Sequence, residues 1–132
     1  MRLLLDTHIW LWSLLAPERL APNVAAALEA ADNELWLSPI SIWELTVLVQ
    51  KGRIILDRDT EDWVAAAFAR VPLREAMTTH GVAIETTRIT LPHRDPADHL
   101  IAATARVFGL MLVTADARLL GVNGLPTLAN AG

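Results

Sequence analysis

Two short apolar runs that each end on a carboxylate constrain the fold of this chain more than any other feature. Residues 2–5 read RLLL and lead directly into Asp6; residues 110–114 read LMLVT, with Asp116 two positions later. Neither run alternates apolar with polar side chains, so neither suits a sheet with one wet face. Both suit strands covered on two sides, the pattern of parallel sheets packed between helices. ELWLS at 34–38 is a third strand of this kind.

The segments between these runs have helical signals. Thr7 is expected to cap a helix through HIWLWSLL, with Ile9, Trp12 and Leu15 on one face. Pro22 sits at the first turn of an alanine-rich helix over 22–31. A further helix is expected to start between Ser38 and Ser41 and to end before Gly52. Another covers 59–70, with Val64, Phe68 and Val71 at helical spacing. The stretch from Pro72 to Pro92 supports two readings, VAIETT as a strand or a helix interrupted at Gly81. Asp95 and Pro96 then open a helix that stops at Gly109. Strands alternating with helices give an α/β fold in which a parallel sheet carries helices on both faces. Ligands of such sheets bind outside the carboxyl ends of the strands.

The 132 residues are expected to form one domain, 1–132, with no repeat or flexible linker to divide them. Of these, 53% are apolar and 20% charged, which excludes a disordered chain. No apolar run approaches the roughly 18 residues that would span a membrane. Asp6 and His8 break the apolar stretch after Arg2 and no small-residue cleavage pattern follows, so a mature N-terminus and a cytoplasmic location are expected. Cysteine is absent, so any metal must be held by oxygen or imidazole. A net charge of -4 argues against a broad cationic surface.

Four acids carry the chemistry. Asp6 and Asp116 fall at the same carboxyl edge of the expected sheet. Glu44 lies on a helix whose i-4 and i+4 positions are Ile40 and Leu48, so it is the single acid in an apolar stripe. Asp98 lies in the first turn of the helix opened by Asp95 and is aimed at the same edge. Each has a local explanation too: Asp6 and Asp116 as turn or cap residues, Asp98 as an N-terminal acid paired with a cap at Asp95, Glu44 as the partner of Lys51 or an arginine. Together they are harder to explain locally. Two carboxylates about 5 Å apart repel by roughly 3 kcal/mol at an effective dielectric of 20. Divalent ions relieve that repulsion, and an oxygen-only donor set suits Mg²⁺ or Mn²⁺. Metal-assisted attack of water on phosphorus follows as the expected chemistry.

The stretches LLLDTHIW, SPISIWEL, HRDPADHLIAATA and LMLVTAD, in this order, resemble the motifs of PIN-domain ribonucleases, specifically the VapC-type toxins of bacterial toxin-antitoxin pairs. The resemblance implies a three-layer α/β/α fold around a central parallel sheet of about five strands. It places the four acids of the family on Asp6, Glu44, Asp98 and Asp116 as catalytic metal ligands, with supporting hydroxyls at Thr7 and Thr114. It further implies Mg²⁺- or Mn²⁺-dependent cleavage of RNA that leaves a 3′-hydroxyl and a 5′-phosphate, a homodimer, and a cognate antitoxin protein as partner. Where family members often carry Arg after the third acid, this chain has His99, which is expected to pack or to lie at the surface.

Arg94 and Arg118 flank two of the acids and are candidates to steer an RNA backbone. Asp95 is expected to serve as a helix cap, and His8 and His93 as hydrogen-bonding neighbours of the cluster. Trp12, Trp43 and Trp63 are expected in the core, with Trp10 left open. Two other functions compete. An aspartate-based phosphatase would want a second acid two residues after Asp6 and a well-placed lysine, but position 8 is His and the single lysine is Lys51. A catalytically silent module of the same fold, binding RNA or a partner, would show metal affinity without cleavage.

Overall fold

The computed structural model describes residues 1–131; the expected domain runs one residue further, to Gly132, which lies outside the described residues. In chain order the elements are β1 Arg2–Leu5, α1 Thr7–Leu15, α2 Pro22–Glu29, β2 Glu34–Leu37, α3 Pro39–Gln50, α4 Thr60–Arg70, β3 Arg74–Glu75, α5 His80–Glu85, α6 Pro96–Phe108, β4 Met111–Thr114 and β5 Thr127–Ala129. The five strands form one sheet in the order β3-β2-β1-β4-β5, and every neighbouring pair is parallel.

The uninterrupted apolar strands are explained by what covers them. Leu4 and Leu112 point into one core with Val82, Ile89, Ile101 and Leu119. Leu3, Leu5 and Val113 point into the other, with Ile9, Trp10, Val24 and Leu45. Successive side chains of one strand thus enter opposite layers, and both layers exclude water. Helices α1, α2 and α4 pack on one face and α5 and α6 on the other. The chain runs outward from β1 through β2 to β3, then returns and crosses to β4 on the other side of β1. Connections of one hand put helices on opposite faces when the direction of travel reverses. The reversal lies between β1 and β4, and its crevice opens at their carboxyl ends, the Asp6 and Asp116 edge.

Local chemistry fixes where the helices begin. Ser38 accepts from the Ile40 amide at 3.0 Å, with Pro39 at the first helical position of α3. Asp95 accepts from the amides of Ala97 at 2.9 Å and Asp98 at 3.4 Å, with Pro96 first in α6. Gly109 closes α6 at φ 65°, a left-handed conformation that costs glycine little.

Several expectations need correction. Asp6, not Thr7, caps α1: its carboxylate accepts from the Thr7 amide, and Thr7 is the first helical residue. Ser38 is a cap of α3 rather than the end of β2. In α4 the buried position is Ala67, while Phe68 and Val71 are exposed by 38% and 43%; the packing face is rotated to Trp63, Val64 and Ala67. VAIETT is not a strand. Thr79 caps α5 through the Val82 amide at 3.2 Å, Val82 is fully buried, and Gly81 sits inside the first turn instead of breaking the helix. Trp43 is 58% exposed whereas Trp10 is buried, its ring edge-on to Trp63 at 5.8 Å. Trp12 is half-buried under the Arg19 guanidinium, at 4.3 Å from the ring centroid.

Candidate active site

The edge formed by the ends of β1 and β4 holds a cavity of about 320 Å³ lined by Asp6, Glu44, Asp98 and Asp116, together with Asp95 and Arg118. Four acids separated by up to 110 positions therefore meet at one place. Each arrives on a different element: Asp6 at the junction of β1 and α1, Glu44 in the second turn of α3, Asp98 in the first turn of α6, and Asp116 beyond β4. His8 and Trp12 also line the cavity, and Trp12 packs at the same time against the core.

Asp6 is anchored at three atoms. Its amide donates to the Val113 carbonyl at 2.9 Å, continuing the β1–β4 ladder. Its Oδ1 accepts from the Thr7 amide at 2.9 Å, and its Oδ2 accepts from the Thr114 hydroxyl at 2.6 Å. Thr114 is fully buried, and its Oγ1 also accepts from the Asp116 amide at 3.0 Å. One hydroxyl thus ties the first acid to the backbone of the fourth. The Thr7 hydroxyl holds Glu44, with Oγ1 at 2.5 Å from Oε1 and 2.9 Å from Ser41 Oγ. A hydroxyl has one proton, so Thr7 donates to the carboxylate and its lone pairs are left for Ser41.

Burial and mutual repulsion set the electrostatics. Burial is the largest influence on Asp6 and pushes its carboxyl above the usual range, offset in part by Thr114 and the Thr7 amide, with Asp98 nearby raising it further. Burial likewise raises Glu44, against the Thr7 hydrogen bond and with help from Asp6, Asp98 and Asp95. Asp98 is raised by burial against its contact with His93. Asp116 goes the other way. Arg118 clasps it with Nε on Oδ1 at 3.1 Å and Nη2 on Oδ2 at 2.9 Å, and holds its carboxyl below the usual range.

The donor set fits a divalent cation. Among the described residues neither Asp6 nor Glu44 takes part in an ion pair, and the guanidinium of Arg118 reaches only Asp116 and, at 3.9 Å, Asp98. Carboxylate oxygens held close without compensating charge suit hard ions. His93, Asp98 and Asp116 also bring one nitrogen or carboxylate oxygen each within 4.8 Å of one another, with His93 Nε2 engaged by the Asp98 carboxylate at 2.6 Å.

The remaining candidates separate. Lys51 caps the C-terminus of α3 and is not paired with Glu44, so the local explanation of that acid does not hold. Arg94 is exposed and does not line the cavity. His99 places Nδ1 3.0 Å from the Asp95 carbonyl, outside the cavity lining. Asp95 is both the cap of α6 and part of the lining. Sequence reasoning gave no role to Ser41; its spacing of three from Glu44 on α3 is the signal that places both on one face.

The model of the PIN domain family matches residues 3–125. This chain belongs to the PIN domain family. Ribonuclease VapC22 of Mycobacterium tuberculosis is 38% identical to it over 121 residues, covering 88% of each chain. VapBC2 of Rickettsia felis, solved bound to a DNA fragment from its promoter, superposes with a TM-score of 0.73 at 18% identity, covering 98% of both chains. A toxin-antitoxin complex from Klebsiella pneumoniae superposes with a TM-score of 0.65 at 21% identity, covering 97% of both. The PIN resemblance read from four motifs is borne out across the chain, as is its five-stranded parallel sheet between helical layers. No helix of this PIN domain among the described residues is long and apolar enough to cross a membrane.

Proposed function

We propose that this chain, as one PIN domain, is a metal-dependent endoribonuclease and the toxin of a toxin-antitoxin pair. The observation that carries the reading is the convergence of Asp6, Glu44, Asp98 and Asp116 on one cavity in which, among the described residues, Asp6 and Glu44 have no ion-pair partner. The relation to a ribonuclease of the VapC type supports RNA as substrate. Its structural neighbours include a toxin-antitoxin complex, which supports a cognate antitoxin as partner. A homodimer acting in the cytoplasm completes the proposal.

Asp6, Glu44, Asp98 and Asp116 would hold Mg²⁺ or Mn²⁺. Such an ion supplies activation of a water and neutralises charge on the phosphate. The chain's own residues prepare the site for it. Thr114 and the Thr7 amide keep Asp6 in one orientation, and the Thr7 hydroxyl keeps Glu44 in another, so that the oxygens are placed before the ion arrives. Arg118, 56% exposed at the guanidinium side chain, is available to a phosphate oxygen once its hold on Asp116 is exchanged for that contact. Arg94, exposed beside α6, contributes charge toward the same backbone. Water oxygen bonds to phosphorus, the bond to O3′ breaks, and the leaving oxygen takes up a proton to become a 3′-hydroxyl opposite a 5′-phosphate.

Incubation of RNA with the purified protein and Mg²⁺ or Mn²⁺ tests this. Fragments with 5′-phosphate ends, suppressed by chelator, are expected; 2′,3′-cyclic phosphate ends would contradict hydrolysis by water.

A further inference from the structure

Each acid in the cavity is held by a particular neighbour: Asp6 by Thr114, Glu44 by Thr7, Asp116 by Arg118. For Asp98 that neighbour is His93. Its Nε2 lies 2.6 Å from Asp98 Oδ2, and the two side chains are each only 12% exposed. The same Oδ2 has Arg118 Nη2 at 3.9 Å, whereas Oδ1 has no hydrogen-bond partner among the described residues. That Oδ1 is not buried, because the buried side-chain nitrogens and oxygens without a partner there comprise one atom, His93 Nδ1.

That orphaned Nδ1 is informative. Leaving a buried polar atom unpaired costs stability. The ring gives Nε2 to the carboxylate, and Nδ1 has no hydrogen-bond partner among the described residues. The Nε2–H tautomer serves that contact, and Nδ1 is then a bare lone pair.

We propose that His93 is the positioning residue for Asp98. By donating to Oδ2 it fixes the carboxylate plane and leaves Oδ1 as the oxygen presented to a divalent ion. The proposal rests on the metal-dependent reading of the site. Hydrogen-bonded neighbours of metal-ligating carboxylates tune affinity by about 10- to 100-fold. His93 reaches Asp98 from the loop that precedes α6, outside the cavity lining, and is therefore not a catalytic residue.

The test measures Mn²⁺ binding by calorimetry and the kcat and KM for RNA cleavage in wild type, His93→Ala, His93→Gln, Asp98→Asn and the His93→Ala/Asp98→Asn double variant. His93→Ala is expected to weaken Mn²⁺ binding by about 10- to 100-fold and to lower kcat with KM for RNA unchanged. His93→Gln, whose amide can donate to Oδ2, is expected to recover most of both. In the Asp98→Asn background the His93→Ala change should alter Mn²⁺ affinity no further, since its effect runs through that carboxylate. Wild-type affinity and kcat in His93→Ala would overturn the proposal. So would equal losses in both backgrounds, or a folded His93→Gln no better than alanine. If His93→Ala does not fold, His93→Phe, which fills the same space without a donor, takes its place in each of these comparisons. Failure of the wild type itself to bind Mn²⁺ would instead remove the metal-dependent reading.

Discussion

Asp6 performs two tasks with one carboxylate, capping α1 through Oδ1 and accepting from Thr114 through Oδ2. Thr114 is the hinge of this arrangement, because its hydroxyl also accepts from the Asp116 amide. Thr114→Val removes that hydroxyl with little change in volume and leaves a buried carboxylate oxygen and an amide without their partner. The expected cost is about 1–3 kcal/mol of stability in chelator, read from denaturant unfolding, together with weaker Mn²⁺ binding. Unchanged Mn²⁺ affinity would show that Asp6 does not need Thr114 to hold its orientation. At this scale the four acids could be read from sequence, because a carboxylate at the end of an apolar run, or within an apolar stripe, stands out from its neighbours. His93 could be read as a hydrogen-bonding neighbour of the cluster, and its contact with Asp98 agrees, but which acid it serves could not be read. Its significance lies in an atom left unpaired, and no spacing reports that.

Helix α6 places Asp98, and it does so through its start. Asp95 accepts from two amides of the first turn, Pro96 follows, and Asp98 is the third helical residue. Asp95→Ala is expected to cost about 1 kcal/mol, as loss of a cap usually does, measured as a shift in the denaturant midpoint. Because the first turn carries Asp98, Mn²⁺ binding should weaken in parallel; a stability loss with unchanged affinity would mean the turn keeps its shape without the cap. The elements with strong local signals were recoverable: RLLL, ELWL, MLVT and the helices opened by Ser38 and Asp95. β3 and β5 were not. They are two and three residues long, lie at the two edges of the sheet, and have mixed composition, so their pairing is decided by the strands beside them. Trp43 misled for a related reason. A helix that is apolar all round gives no hint which side faces the core, and α3 turns Ile42 and Leu45 inward and Trp43 outward.

The whole molecule carries an electrostatic cost in its metal-free form. Asp6, Glu44 and Asp98 have folded-state values above those of the unfolded chain. Their contribution to stability is therefore fully present below the unfolded value, about pH 4, and is lost as pH rises through the raised values. Asp116 is depressed, so its contribution is present above that point and is lost as pH falls through its lower value. In chelator, Asp6→Asn should melt above the wild type at pH 7, with the difference shrinking toward pH 4; a difference that is constant or reversed would contradict the linkage. Adding Mn²⁺ should stabilise the wild type by about 2.7 kcal/mol at a hundredfold excess over its dissociation constant, and Asp6→Asn much less.

The proposed cleavage of RNA by the gathered acids through a bound divalent ion comes down to one experiment. It is tested most directly by exposing a total bacterial RNA pool to purified wild type and Asp6→Asn, each with Mg²⁺, Mn²⁺ or chelator, and mapping the new 5′ ends. The account predicts discrete 5′-phosphate products from the wild type with metal, and none with chelator. It predicts at least about a hundredfold less product from Asp6→Asn, beyond the usual loss for a neighbour of a metal ligand. Equal cleavage by both proteins, or no metal-dependent product from a wild type that binds Mn²⁺, would contradict it.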